Sequence, residues 1–256
     1  MSKSIPKIGL VLSGGGARGI AHIGVLKALS ELGVTVSRIS GTSAGAVAGA
    51  LFASGMKPEE VLDRIRAGKL IRNLRPSWQS SGLFGLEVLK RLIAETIPGD
   101  DFSSLSIPLS VAATNLRTGT TNYFNEGKLT PALMASCCIP VVFSPVEING
   151  DRYVDGGVLN NLPVQPLIGN CDLIIGSHCN PVAGDFHGRS MKSVAERSFL
   201  LGVGFNTQEN RKHCGVFIEP PGLSRFSSAD FTSARDIFET GYRYTLEHFR
   251  PDNFTI

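Results

Sequence analysis

The sequence predicts an α/β fold, a mainly parallel sheet with helices on both faces. Three observations carry this. Short apolar runs alternate with longer helical patterns along most of the chain. The first run, Ile8 to Leu12, stops at a glycine-rich loop, as a buried strand feeding a helix does. No repeat, linker or low-complexity tract divides the 256 residues. Residues 1–256 therefore read as a single domain, with a core over about 8–180, a candidate cap at 68–107 and C-terminal helices over 190–256.

The elements follow in order. After Ile8–Leu12, a helix with Ile20, Ile23, Leu26 and Leu29 on one face stops at Gly33. Val36 to Ile39 reads as a second strand, and the small-residue run Ala44 to Gly55 as the helix behind it. Pro58 opens a helix through Arg66. Residues 68–107 are less regular, with Leu70, Ile71, Leu74, Trp78, Leu83, Phe84 and Leu86 set among arginines. They read either as an apolar cap over a lipid-sized site or as a peripheral subdomain packed on the core. Leu109 to Ala113 is a strand, with Thr121 to Phe124 as its hairpin partner. Pro131 begins a short helix that ends before Ile139-Pro140. Val146 to Ile148 and Arg152 to Val154 flank an Asn149-Gly150 turn, a hairpin signal. Leu173 to Gly176 and Val216 to Ile218 are later strands, and Ser190 to Asn210 and Ser233 to His248 carry helical patterns.

Composition bounds the function. A net charge of +3, without a basic block, gives no argument for nucleic acid. It is compatible with weak attraction to anionic lipid surfaces. The five cysteines include an adjacent pair, Cys137 and Cys138, and no C-x-x-C, which fits neither a disulfide framework nor a zinc site. The first apolar run is too short for a signal-peptide core, and Ala44 to Met56 is far short of a membrane span. The expectation is a soluble, cytoplasmic, reduced protein.

Two stretches carry chemistry. Gly41-Thr42-Ser43-Ala44-Gly45 lies between a strand and a helix, the context of a serine elbow. Glycines at 41 and 45 let strand and helix pass close to the turn, and the helix N-terminus favours negative charge near the hydroxyl. With three fixed residues, the pattern also fits an ordinary small-residue loop. Gly14-Gly15-Gly16-Ala17-Arg18-Gly19 is a strand-to-helix loop whose backbone N–H groups suit an oxyanion or a phosphate. It satisfies the dinucleotide fingerprint G-x-G-x-x-G, yet the second strand runs into Ser40-Gly41-Thr42-Ser43 with no acidic residue for a ribose. The loop therefore reads as an oxyanion hole beside the serine. A nucleotide-binding oxidoreductase and a non-catalytic lipid- or protein-binding regulator stay open as alternatives.

Together with Asp155-Gly156-Gly157, these two blocks resemble the patatin-like phospholipases. Ala135-Ser-Cys-Cys-Ile-Pro140 with Phe143 and Pro145, and Asp155 through Val164, are similar to that family's segments around its aspartate. The resemblance covers roughly Ile8 to Gly176, and Cys138 departs from it where a smaller residue is common. It implies a three-layer α/β sandwich and a lipid acyl hydrolase needing no metal or cofactor. Ser43 is then the nucleophile and Asp155 its base. Gly14, Gly15 and Gly16, with Arg18 nearby, form the oxyanion hole, and Gly19, Gly41, Gly45, Gly156 and Gly157 support the motifs. The expected partners are a lipid or acyl-ester substrate and a peripheral membrane contact, without nucleic acid.

A Ser-Asp dyad has a competitor. His178 follows Asp155 in the chain and sits at the end of a buried strand, as the histidine of a serine triad does. His22, His187, His213 and His248 lie in less suggestive places. The two glycines after Asp155 favour direct contact with Ser43, and the dyad is the expectation. Burial is expected to lift the Asp155 carboxyl above its reference value of about 4, making it a better base.

Overall fold

The computed structural model describes residues 6–66, 83–97, 99–182, 184, 188 and 190–254. Residues 68–82 and 98 of the candidate cap, with Leu70, Ile71, Leu74 and Trp78, lie outside these residues, as do the side chains of Leu83, Phe84 and Leu86, and all of His187.

β1 (Ile8–Leu12) is buried along its length. Its period of two sorts the core: Ile8, Leu10 and Leu12 join the large helical core, while Val11 joins Leu162, Val164, Leu167 and Ile174 on the other face. α1 (Ile20–Glu31), α2 (Ala44–Ala53), α3 (Pro58–Arg66) and α7 (Ala234–His248) contribute to the first layer, with α4 (Leu83–Thr96) and α5 (Leu129–Ser136) beyond α2. The second layer holds the 158–172 segment and α6 (Met191–Arg211), joined where Asn210 donates to Asn160 Oδ1 at 2.8 Å and accepts from Gln165 at 2.8 Å. Helices thus lie on both faces, as the alternating pattern predicts.

Among the described residues the sheet has eight strands. β2 (Val36–Thr42), β3 (Leu109–Asn115), β7 (Leu173–Ser177) and β8 (Val216–Ile218) run parallel to β1. β4 (Thr120–Phe124), β5 (Val146–Ile148) and β6 (Asp151–Asp155) make it mixed, because β4 and β6 pair antiparallel with β3 and β5 pairs antiparallel with β6. The β5–β6 turn has Asn149 at φ 52° and Gly150 at φ 82°, the left-handed pair that a tight hairpin needs.

Of the boundaries that differ from the sequence reading, two have a direct physical reason. β2 continues through Ser40 and Thr42, whose buried hydroxyls donate to the carbonyls of Pro163 (2.6 Å) and Asn160 (2.9 Å). Those bonds make polar residues tolerable in a buried strand, which an apolar-run criterion misses. α5 starts at Leu129, two residues before Pro131. A first-turn proline costs no hydrogen bond, since those N–H groups have no intrahelical acceptor, and the Thr130 N–H instead donates to Asp100 at 2.7 Å.

The pairing of β3 positions the site. β4 covers one edge of β3 from Val111 to Asn115. The other edge is shared end to end: β2 occupies it up to Thr42 opposite Ala112, and β6 takes over with Asp155 opposite Ala113. The point where β2 leaves the sheet is therefore the point where Asp155 arrives.

Candidate active site

Ser43 sits between β2 and α2 with φ 52° and ψ −124°. A serine at positive φ costs on the order of 1–3 kcal/mol and persists only when its surroundings hold it. Here the Ser43 N–H donates to Ser136 Oγ at 2.8 Å, and the Ser136 hydroxyl donates to the Ala112 carbonyl at 2.7 Å, tying the elbow through α5 to β3. Glycine is required at 45: a Cβ there would lie 2.4 Å from the Leu12 carbonyl oxygen and 2.5 Å from that of Ser13. Gly41 likewise lets the end of β2 pass against Ala46 of α2.

Asp155 is buried, and its backbone is fixed on both sides. Its N–H donates to the Cys138 carbonyl at 2.8 Å and its carbonyl accepts from Thr114 Oγ1 at 3.0 Å. The carboxyl accepts from the Gly157 N–H at 2.8 Å. Burial pushes it up to about 6, against the opposing pull of the nearby Ser43 side chain and of the Gly157 N–H. Gly156 crosses above the Ala112 carbonyl beside Thr42. The neighbouring Cys137 thiol is raised by burial and by Asp155, so it stays neutral beside the serine.

The glycine-rich loop lies against the elbow. A Cβ on Gly14 would stand 3.2 Å from Ser43 Cβ, and Gly19 rests on the Ala44 methyl. The Gly14 N–H is already engaged, donating to the Asn161 carbonyl at 3.2 Å. Among the described residues no acceptor occupies the N–H groups of Gly15 or Gly16. The loop is held from behind: Ala17 N–H donates to the Ser228 carbonyl at 2.8 Å, and Arg18 Nε donates to the Phe226 carbonyl at 2.7 Å. The structure therefore brings Ser43, Asp155 and the three glycines together and directs Arg18 Nε to the 226–228 segment.

His178, His22 and His248 bond to other groups. His178 Nδ1 bonds Glu219 Oε1 at 2.6 Å, and its ring stacks on Phe217. His22 bridges the ends of β7 and β1, meeting Ser177 Oγ and the Ser13 carbonyl, each at 2.8 Å. The carbonyl can only accept, so Nε2 carries the proton and Nδ1 accepts from Ser177. Burial lowers the His22 pKa to about 4. His248 Nδ1 meets the Tyr244 carbonyl at the end of α7. Among the described residues no group of three or more His, Cys, Asp or Glu is placed to hold a metal ion, and no helix is long and apolar enough to cross a membrane.

The sequence reading missed Ser136, Asn161 and Asn180. Ser136 had a signal: it stands seven residues after Leu129, on the buried stripe with Ala132 and Leu133. A serine there calls for a buried partner. Asn161 and Asn180 act through tertiary approach and carry no local signature.

The family model for patatin-like phospholipases matches residues 10–168. The chain belongs to the patatin-like phospholipase family. The matched span holds Gly14, Ser43 and Asp155 and stops short of β7, α6, β8 and α7. An uncharacterized NTE family protein of Mycobacterium tuberculosis is 37% identical over 180 residues, 69% of this chain and 50% of its own length. Lysophospholipase NTE1 of Kluyveromyces lactis is 26% identical over 285 residues, covering 96% of this chain and 20% of its own. The chain thus spans half the length of the first of these curated relatives and a fifth of the second. VipD from Legionella pneumophila shares the patatin-like fold, with a TM-score of 0.59 at 17% identity over 95% of this chain and 67% of that one.

Proposed function

We propose that the chain is a serine acyl hydrolase that cleaves acyl esters of glycerolipids or lysolipids through a Ser43–Asp155 dyad. One observation carries the reading. A strained, elbow-borne serine follows the end of β2 where β6 delivers a buried carboxylate that feels its side chain, while His178 is turned to Glu219.

The chemistry follows from that placement. A serine hydroxyl is a weak nucleophile until a base takes its proton. A carboxyl raised to about 6 is a stronger base than an ordinary aspartate and is still ionised at neutral pH. As Ser43 Oγ bonds to the acyl carbon, its proton passes to Asp155 and the carbonyl electron pair moves onto oxygen. The N–H groups of Gly15 and Gly16, which meet no acceptor among the described residues, and the N-terminus of α2 serve as donors for that oxyanion, each such donor being worth about 3–4 kcal/mol. Collapse of the intermediate breaks the ester C–O bond, and Asp155 returns the proton to the leaving alcohol. A water deprotonated by Asp155 then releases the acyl group from Ser43. Arg18 supports the loop from behind through Phe226.

Lipid as substrate is supported by the family and by the name of the Kluyveromyces relative, a lysophospholipase. Contact with a lipid surface is supported by exposed apolar side chains on the segments that meet at the site: Ile139, Val141 and Val142 before Asp155, Val158 and Leu159 after it, and Phe205 on α6. Val141 is fully exposed at φ 70°, an unfavourable place for a β-branched residue in water. The oxidoreductase reading has less behind it, since the Gly14 N–H is engaged by Asn161 and a Cβ at Gly16 would meet the Ser228 carbonyl.

The test is intact-mass analysis after treatment with a fluorophosphonate, followed by peptide mapping. The expected result is one adduct, on Ser43. Folded protein that takes no adduct sinks the reading.

A further inference from the structure

The glycine loop poses a mechanical problem. The peptide joining Gly14 to Gly15 has glycine on both sides, so little in its own covalent structure stops it from turning over. If it turned, the Gly15 N–H would no longer face the same way. The Gly14 carbonyl, however, is held on its far side. It accepts from Asn180 Nδ2 at 2.6 Å and from the Cys179 thiol at 3.3 Å, with Asn161 Nδ2 more distant at 3.5 Å. In a trans peptide the C=O and the following N–H point in opposite directions. Anchoring the Gly14 carbonyl on Asn180 therefore directs the Gly15 N–H away from the end of β7.

The surroundings of Asn180 point the same way. Asn180 is 3% exposed, and its Oδ1 is buried without a hydrogen-bond partner among the described residues. An unmet buried amide oxygen costs on the order of 1–3 kcal/mol, so this side chain is a poor choice for stability alone. Its Nδ2 donor is the part in use. Asn180 precedes Pro181, which biases its backbone towards an extended conformation and limits its movement. Cys179 Sγ and Asn180 Oδ1 would stand 2.3 and 2.9 Å from a Cβ on Gly15, so the same two residues also wall in the loop.

We infer that Asn180 is a positioning residue for the oxyanion hole: it holds the Gly14 carbonyl so that the Gly15 N–H is aimed before substrate arrives. The inference rests on the serine-hydrolase reading and assigns the loop's orientation to a residue beyond the 10–168 family match.

The experiment compares wild type with Asn180→Ala, which removes the donor, and Asn180→Asp, which keeps the shape but places an acceptor against a carbonyl. Three quantities are measured: hydrolysis of p-nitrophenyl butyrate, the rate of Ser43 labelling by a fluorophosphonate, and the melting temperature. In both variants kcat and the labelling rate should fall together by about 10- to 100-fold, with KM within about twofold and the fold retained. Wild-type kcat and labelling in either folded variant overturns the inference, as does a rise in KM at unchanged kcat. Failure of both variants to fold assigns Asn180 to stability and also overturns it. Wild type that takes no label at Ser43 sinks the hydrolase reading instead, so the two failures are distinguishable.

Discussion

At the carboxyl end of β2, a buried carboxylate faces a hydroxyl and one backbone N–H. Near the ends of β7 and β8, another carboxylate, Glu219, faces the His178 imidazole. Both pairs are a side-chain donor on an acid, but their electrostatics diverge. The bond to His178 holds Glu219 below the usual carboxylate range. Asp155, desolvated and without such a partner, rises to about 6. Burial leaves Asp155 basic enough to take a proton, whereas the hydrogen bond with the His178 ring stabilises the charge of Glu219 and makes it a fixed acceptor. The comparison supports the proposal that the aspartate, and not the histidine at the strand end, takes the Ser43 proton.

The contrast should be largest in turnover. Asp155→Asn removes the base and keeps the shape, so kcat should fall by about 10³-fold or more while the protein stays folded. Steady-state kinetics on a soluble ester, with circular dichroism as the fold control, checks this. Residual activity above a few per cent would mean that another group takes the Ser43 proton.

Acid should separate the two pairs next. Only ionised Asp155 can act as base, so kcat/KM should fall about tenfold per pH unit below about 6 and level off above it. The profile is read on a soluble ester whose own ionisation does not change between pH 4 and 8. A flat profile through pH 5 would contradict a base with a raised pKa.

Stability gives a third comparison, between Asp155 and His22. Folded Asp155 keeps its proton up to about pH 6, the unfolded chain only to about 4. Between those values the folded state holds more protons, so this group favours folding at low pH and its contribution is lost as pH rises through about 6. His22 runs the other way, neutral in the fold down to about pH 4 although the unfolded chain takes a proton near 6.5. Its cost appears as pH falls through 6.5 and grows towards 4. The two slopes oppose each other between pH 4 and 6. Asp155→Asn should therefore stabilise the protein by on the order of 2–3 kcal/mol at pH 8, with the gain vanishing near pH 4 and the His22 acid lability laid bare. Urea unfolding at pH 4.5, 6 and 8 measures both effects.

The smallest effect belongs to His178. Without a role at Ser43, His178→Ala should keep kcat within about tenfold, a barrier change of about 1.4 kcal/mol. A loss of several orders of magnitude in folded protein would replace the dyad by a triad.

Much of this was legible in the chain itself. An apolar run ending at glycines, a helical apolar face and the Pro58 start located β1, α1 and α3 almost to the residue, and Asn149-Gly150 located the β5–β6 hairpin, because these signals are local. The blocks at Gly14, Ser43 and Asp155 were visible for the same reason: tight turns demand glycine wherever they occur. The approach of Asp155 to Ser43 was expected from the two glycines and the family resemblance, but its cause was not visible: it is the shared edge of β3, where β6 takes over from β2 at Ala113. The aim of the glycine loop depends on Asn180 and Phe226, far away in sequence, and the elbow's anchor depends on Ser136 reaching Ala112. Short-range preferences decide what each segment becomes, but sheet register and interlayer packing decide which polar atoms are buried together. In a buried site that pairing determines which group can accept a proton.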